Sequence, residues 1–288
     1  MNFKDFHPLS LIVYFISVIS FTMITRNPIL LLCSFLGGIA SVYFINRKTD
    51  LKIYLIIFVM VAVTNPLFSH NGETVLFYLF DQRITLEAFV YGIGAGMLIV
   101  SIIYWFKLFS IVFTEDKLAW ILGKIAPKLC VVFCMALRFV PLFKQNAVNI
   151  YNAQLSLGIF DTTTIKGKLK MATNVFSALI SLSIENAIET ADTMQARGYG
   201  NNKRSSYSLV LVKKFDIAFT LTVLIADLLI ALLILNNNGN FYYYPAIKFE
   251  ELNVLNIALY IGFALLCILP VIIHIVEDLK WKYLISKI

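Results

Sequence analysis

Six long apolar segments restrict the folds that this chain can adopt. A helix needs about 20 residues to cross the roughly 30 Å hydrocarbon core of a bilayer, and each segment reaches or approaches that length. The segments are Leu9–Ile24, Ile29–Ile45, Leu51–Phe68, Leu86–Phe113, Phe215–Leu235 and Val254–Val276. The sequence therefore predicts an all-α integral membrane protein with about six transmembrane helices. The second segment is short and contains Gly37-Gly38, so a tilted or re-entrant helix is an alternative to a full crossing.

The overall composition excludes an ordinary soluble domain. Of the 288 residues, 59% are hydrophobic and 14% are charged, against about 45–50% and 25% in soluble proteins. A soluble fold of this size has too much surface for its volume to hide so many apolar side chains. A bilayer removes this difficulty because lipid solvates the apolar surface.

The basic residues are concentrated in the middle of the chain. Residues 114–214 hold 13 of the 24 lysines and arginines, together with six acidic residues. Residues 69–85 contain only Arg83 as a basic residue, and residues 236–253 contain only Lys248. By the positive-inside rule, this distribution predicts a cell-membrane protein whose two termini and residues 114–212 are cytoplasmic. The net charge of +7 then indicates contact with anionic lipid headgroups rather than with nucleic acid.

The middle of the chain is too regular to be a linker. Helical periodicity predicts one helical region over about Lys117–Leu157 and a second over about Ile165–Arg197, preceded by a threonine-rich cap site. We therefore divide the chain into N-terminal transmembrane helices (1–113), a central helical region (114–212) and C-terminal transmembrane helices (213–288).

Arg138 is the only charged residue between Leu129 and Phe143, and Pro141 follows it closely. A charge in such an apolar stretch costs about 2.5–3.5 kcal/mol at the centre of a membrane helix unless it is paired or reaches the interface. Two interpretations remain open for this pair: an arginine that snorkels at a helix bend, or a fixed pivot between membrane and cytoplasmic parts.

Arg197 ends the second helical region and is followed by Gly198. Glu185, Glu189 and Asp192 form an acidic row on the same helix, but at about 100° per residue Arg197 points some 80–140° away from it. Arg197 is thus poorly placed for an ion pair within its own helix. The simpler interpretation is a cation that favours the helix dipole beside a glycine cap.

These residues resemble a known family. Ala196-Arg197-Gly198 resembles the Ala-Arg-Gly motif of the transmembrane T component of energy-coupling factor (ECF) transporters, the CbiQ/EcfT-like family. The residues from Ala136 to Pro141 are similar to that family's segment within its first coupling helix, and Asn65–Gly72 is similar to a loop after an early span. Ser156-Leu157-Gly158 stands where the first Ala-Arg-Gly motif is expected.

The resemblance implies a non-catalytic scaffold subunit without a cofactor. In this family two long cytoplasmic coupling helices dock their arginine-bearing ends in two ABC-type ATPase subunits, and a separate S component binds a vitamin or metal ion. The coupling residues would be Ala196, Arg197, Gly198, Ser156, Leu157 and Gly158, with Arg138 and Pro141 as the helix pivot. ATP-driven movement of the ATPases would pass through these helices to the S component.

The sequence departs from the family pattern at one position, because Leu157 replaces the arginine of the first motif. One docking end therefore lacks its cation, and we expect unequal contacts with two non-identical ATPases. A fixed guanidinium fork suits pairing with carboxylates at the other end.

Two other classes of protein remain as alternatives. A secondary permease would bind its substrate directly and would use Asp227, an acidic residue within the fifth span; pairing with a basic residue is its simpler role. A membrane-embedded enzyme is the second alternative, but His7, His70 and His274 are far apart in the sequence. The four cysteines lack further ligands nearby, so we predict no metal site.

Overall fold

A computed structural model describes residues 3–46, 51–69, 72–79, 82–158, 164–200, 212–236, 239, 241–245, 247 and 253–286. This part of the chain contains nine α-helices and one short antiparallel β-hairpin. The helices are α1 (Pro8–Ile24), α2 (Pro28–Asn46), α3 (Leu51–Phe68), α4 (Leu86–Val112), α5 (Glu115–Ile125), α6 (Pro127–Ser156), α7 (Ile165–Ala196), α8 (Lys214–Leu235) and α9 (Val254–Ile285). Strands β1 (Val75–Leu79) and β2 (Gln82–Thr85) form the hairpin, which the sequence analysis did not predict.

Each of the six apolar segments forms a helix, and the all-α membrane fold is confirmed. Among the described residues, α2, α4, α7, α8 and α9 are long and apolar enough to cross a membrane, whereas α1 and α3 are shorter apolar helices. Helix α9 continues beyond its predicted end at Val276 to Ile285. Helix α7 was predicted to be cytoplasmic, but its length and composition also fit a membrane span.

Two compact units make up the chain. The membrane unit comprises residues 1–115 and 211–288, and the middle unit comprises residues 116–210.

Close helix packing explains the two glycines of α2, which is a continuous helix packed against α4 and α9. A Cβ atom at Gly37 would lie 2.7 Å from the Cβ of Cys267, and one at Gly38 would lie 3.1 Å from the Cβ of Tyr104. Small residues let helix backbones approach closely in membranes. The glycine pair therefore serves helix contact and does not interrupt the helix.

Buried polar side chains connect the helices of the membrane unit. The indole Nε1 of Trp105 donates to Ser34 Oγ at 2.9 Å, and Ser34 Oγ lies 2.8 Å from Thr22 Oγ1. These three residues belong to α4, α2 and α1 and are fully buried. Buried polar groups in a membrane protein form hydrogen bonds within the protein, because lipid offers them no partners.

A second set of polar contacts joins α1 to α8. Asp216 is buried, and its two carboxylate oxygens accept the backbone N–H groups of His7 at 3.0 Å and Lys213 at 2.8 Å. One of these bonds caps the start of α8, and the other holds the start of α1 against it. A single carboxylate therefore fixes the ends of two helices.

The middle unit has almost no core of its own. The predicted first helical region is two helices: α5 ends at Ile125, and Pro127 begins α6. The sequence analysis did not locate this break, although proline is favoured at the first position of a new helix. Among the described residues of 116–210, only Met171 is buried.

Candidate functional site

Helices α6 and α7 pack against each other. Their shared groove has a volume of about 430 Å³ and is lined by Ala147, Val148 and Tyr151 of α6 and by Lys168, Ala172, Val175, Phe176 and Leu179 of α7. The last turns of α6 thus face the first half of α7. Residues Ala172, Val175, Phe176 and Leu179 belong to the apolar row that the helical periodicity indicates.

Helix α6 ends in a glycine cap at the predicted first coupling position. Leu157 is the capping residue, and Gly158 has a φ of 65°, a left-handed conformation that glycine adopts readily. The Gly158 N–H donates to the carbonyl of Leu155 at 3.1 Å, and the Ser156 hydroxyl donates to the carbonyl of Asn152 at 2.9 Å. The Leu157 side chain is 69% exposed, so an apolar group projects from this helix end.

Helix α7 ends in the same way at the second predicted position. Arg197 is the capping residue after Ala196, and Gly198 has a φ of 78°. The Gly198 N–H donates to the carbonyl of Gln195 at 2.9 Å, and the Tyr199 N–H donates to the carbonyl of Met194 at 3.0 Å. These two bonds form a Schellman motif, which satisfies the last carbonyls of the helix.

Leu157 and Arg197 therefore occupy equivalent backbone positions on the two helices. In each case the side chain belongs to the capping residue directly before a left-handed glycine. The two ends lie far apart, because α7 has 32 residues and extends over about 48 Å. The pair of helices thus presents one apolar and one cationic tip.

The Arg197 side chain is exposed, and no ion pair of its guanidinium occurs within the part of the chain that the structure describes. Glu185, Glu189 and Asp192 are also exposed. The acidic row and the cation therefore remain separate on the surface of α7. This separation agrees with the helical geometry predicted from the sequence.

The structure also describes the two predicted pivot residues. Arg138 and Pro141 lie within α6, which continues through the proline without ending. Arg138 is exposed, and the rings of Phe139 and Phe143, one helical turn apart, stack on each other with their centres 5.7 Å apart. Whether this part of α6 serves as a pivot stays a prediction.

Asp227 was expected to pair with a basic residue, and the structure gives it a different partner. Its Oδ2 accepts a hydrogen bond from Ser17 Oγ, at 2.5 Å, which connects α8 to α1. Its other carboxylate oxygen is buried without a hydrogen-bond partner. The sequence could not reveal the contact with Ser17, because the two residues are 210 positions apart.

The thiols of Cys130 and Cys134 lie 4.0 Å apart on α6, as their spacing predicts. Among the described residues, no group of three or more histidine, cysteine, aspartate and glutamate side chains could hold a metal ion. Of the three histidines, His70 lies outside the described residues.

Comparisons with known proteins give the family context of these helix ends. A family model described as cobalt transport protein, CbiQ, matches residues 7–209. The energy-coupling factor transporter transmembrane protein EcfT of Streptococcus equi subsp. equi is 27% identical over 241 residues, covering 78% of this chain and 88% of the relative.

Two further relatives carry the same name. The one from Bacillus selenitireducens is 27% identical over 203 residues, covering 65% of this chain and 76% of its own length. The one from Lactobacillus helveticus is 29% identical over 124 residues, covering 40% and 45% of the two chains. The family match at residues 7–209 includes both glycine-capped helix ends.

Proposed function

Because the chain belongs to the CbiQ family of cobalt transport proteins, we propose that it is the transmembrane T component of an ECF-type importer. In this role it is a non-catalytic scaffold in the cell membrane. Two ABC-type ATPase subunits hydrolyse ATP, and the chain transmits their movement to a separate S component that binds a vitamin or a metal ion. The names of the EcfT relatives support membership of such a transporter.

The observation that carries the proposal is the geometry of the α7 end. Arg197 stands on a helix that a Schellman motif terminates rigidly, and its guanidinium is exposed and has no ion pair within the described residues. A planar cation held in this way can pair bidentately with a carboxylate of another protein. We assign Ala196, Arg197 and Gly198 to the docking of one ATPase.

Ser156, Leu157 and Gly158 form the corresponding contact with the second ATPase. The equivalent backbone geometry supports this assignment, and the exposed leucine makes the contact mainly apolar. Unequal tips fit two non-identical ATPases, each of which recognises one end. Arg138 and Pro141 act as the pivot along α6.

Co-purification of the assembled complex tests the assignment. Arg197→Ala is expected to lower retention of one ATPase at least about tenfold, because a buried, hydrogen-bonded charge contact is worth roughly 2–5 kcal/mol. Leu157→Ala is expected to lower the retention of the other ATPase. Lys170→Ala is the matched control, since it removes an exposed cation elsewhere on α7. Equal retention of both ATPases by the Arg197 and Leu157 variants would contradict the proposal.

The orientation belongs to the same proposal: both termini and residues 114–212 face the cytoplasm. Helix α7 is the critical test of this topology, because its length and composition would also allow it to span the membrane. It carries Lys166, Lys168 and Lys170 at one end and three acidic residues at the other, and such charges are costly inside a bilayer. A membrane-impermeant thiol reagent applied outside intact cells should therefore not label a cysteine placed at Glu189.

Asp227 favours a second candidate, a secondary permease that binds its substrate itself. One oxygen of this intramembrane carboxylate is buried without a hydrogen-bond partner. The permease would require the purified chain alone to bind a vitamin or metal ion tightly and to lose binding in Asp227→Asn. The scaffold proposal expects no such binding without the S component.

A further inference from the structure

Helix α5 is amphipathic and follows a membrane span directly. Its 11 residues place Leu118, Ile121, Leu122 and Ile125 within a stripe of about 100° on one side. Asp116, Lys117 and Lys124 lie outside this stripe. The helix therefore has one continuous apolar face.

The two ends of this apolar face, Leu118 and Ile125, are exposed, whereas Ile121 and Leu122 between them are partly buried. No residue of α5 is buried; the Leu118 side chain is 38% exposed and the Ile125 side chain is 77% exposed. Helix α6 contacts a different edge of α5, where Cys130 Sγ donates to the carbonyl of Ala119 at 3.1 Å. The apolar residues at the start of α6 are open as well, with Leu129 64% exposed.

The short connection between α4 and α5 indicates which partner covers the exposed apolar residues of α5. Span α4 ends at Val112 and α5 begins at Glu115, so the connection cannot reach further than about 11 Å. The start of α5 therefore lies within about 11 Å of the end of this span. Apolar side chains exposed this close to the end of a span can reach the hydrocarbon, because the headgroup region is only several ångströms thick.

The polar side of α5 carries groups that suit lipid headgroups. The ammonium group of Lys124 lies 4.0 Å from the centre of the Trp120 ring. Tryptophan is enriched at membrane–water interfaces, and lysines near the surface are attracted to anionic lipids. Lys117 of α5 precedes this pair, and Lys128 follows it at the start of α6, which adds positive charge along this part of the chain.

We propose that α5 lies along the membrane surface, with Leu118 and Ile125 in the lipid and Lys117, Lys124 and Lys128 at anionic headgroups. The lipid surface is thus the partner of this face. The helix anchors the start of the middle unit to the bilayer at the point where α4 leaves it. This assignment is independent of the ATPase contacts proposed for Leu157 and Arg197.

Spin labels on opposite sides of α5 test the placement. Leu118→Cys and Asp116→Cys are introduced into the full-length chain, after its four cysteines are replaced by alanine, and the complete complex is reconstituted in vesicles. Both positions are exposed and lie two residues apart. Oxygen dissolves in lipid and a nickel chelate stays in water. The oxygen-to-nickel collision ratio should be at least about fivefold higher at position 118.

Two outcomes would overturn the proposal. Equal collision ratios at the two positions would place both faces in water. Shielding of position 118 from oxygen and nickel alike, relieved when the S component is omitted, would identify a protein as the occupant.

A charge variant tests the headgroup contact. Adding anionic phosphatidylglycerol to zwitterionic vesicles should raise the collision ratio at position 118. Replacing Lys117, Lys124 and Lys128 by glutamine should remove this rise. Replacing Lys166, Lys168 and Lys170 by glutamine is the matched control and should keep it. An identical response of both triple variants would contradict the assignment of Lys117, Lys124 and Lys128 to headgroup contacts.

Discussion

The membrane unit and the middle unit are both helical, yet they bury their side chains very differently. In the membrane unit, side chains such as Tyr14, Trp105 and Phe263 are almost completely buried. Among the described residues of the middle unit, only Met171 is buried. The first unit is therefore held together by its own packing, and the second leaves most of its apolar side chains exposed.

Polar contacts divide the two units in the same way. The membrane unit joins distant helices through side-chain hydrogen bonds, such as Tyr14 Oη to the carbonyl of Leu266 at 3.0 Å. In the middle unit, the side-chain hydrogen bonds of Ser156 and Thr164 stay within one helix or its cap, while Cys130 of α6 donates to the carbonyl of Ala119 of α5. Contacts between distant helices therefore stabilise the membrane unit.

The largest expected effect concerns the carboxylate that fixes two helix ends of the membrane unit. Asp216→Ala leaves the N–H groups of His7 and Lys213 without their acceptor, so the free energy of unfolding should fall by about 3 kcal/mol. Unfolding by SDS in mixed micelles measures this change. Asp278→Ala is the control, because the Asp278 side chain is 58% exposed. Similar losses in both variants would refute the structural role of Asp216.

A smaller loss of unfolding free energy is expected for a substitution at the contact between α2 and α9. Gly37→Ala places a Cβ 2.7 Å from the Cβ of Cys267, and overpacking of this kind costs about 2 kcal/mol. At Gly262 the nearest side-chain atom lies 4.0 Å from the added Cβ. Gly262→Ala should therefore leave stability within about 0.5 kcal/mol in the same assay. If Gly37→Ala cost no more stability than Gly262→Ala, the close contact between α2 and α9 at Gly37 would be refuted.

The smallest expected change in the free energy of unfolding comes from making the same substitution, valine to alanine, in each unit. Val18 of α1 is fully buried, and Val148 of α6 is 52% exposed. Val18→Ala should cost about 1 kcal/mol, because buried packing contacts drive helix association in membranes. Val148→Ala should change the unfolding free energy by less than about 0.3 kcal/mol. A larger loss at Val148 than at Val18 would show that the middle unit has a core after all.

Local sequence signals predicted much of the fold and of the candidate site. Apolar length located the six membrane-unit helices, and the Thr164 hydroxyl caps α7 by accepting the N–H of Gly167 at 3.2 Å, in line with the predicted cap site. The glycines after Leu157 and Arg197 correctly indicated the ends of α6 and α7. These features depend on residues within one or two helical turns.

Other features escaped sequence reasoning because more than one structure fits the same local pattern. The residues on both sides of Pro127 have a helical pattern. The sequence therefore did not show that α5 ends at Ile125 and that α6 begins at Pro127. The contact of Asp227 with Ser17 involves residues far apart in the chain. No local pattern specifies such a pair.

The sequence alone determined that the chain is an α-helical membrane protein with two capped helices in its basic middle segment, because apolar length, charge and glycine position act locally. Only the tertiary structure decided that Gly37 meets Cys267, that Asp216 joins α1 to α8, and that apolar side chains such as Ile125 of α5 and Phe176 of α7 stay exposed. These outcomes depend on which helices become neighbours. Neighbours are selected by packing across the whole bundle.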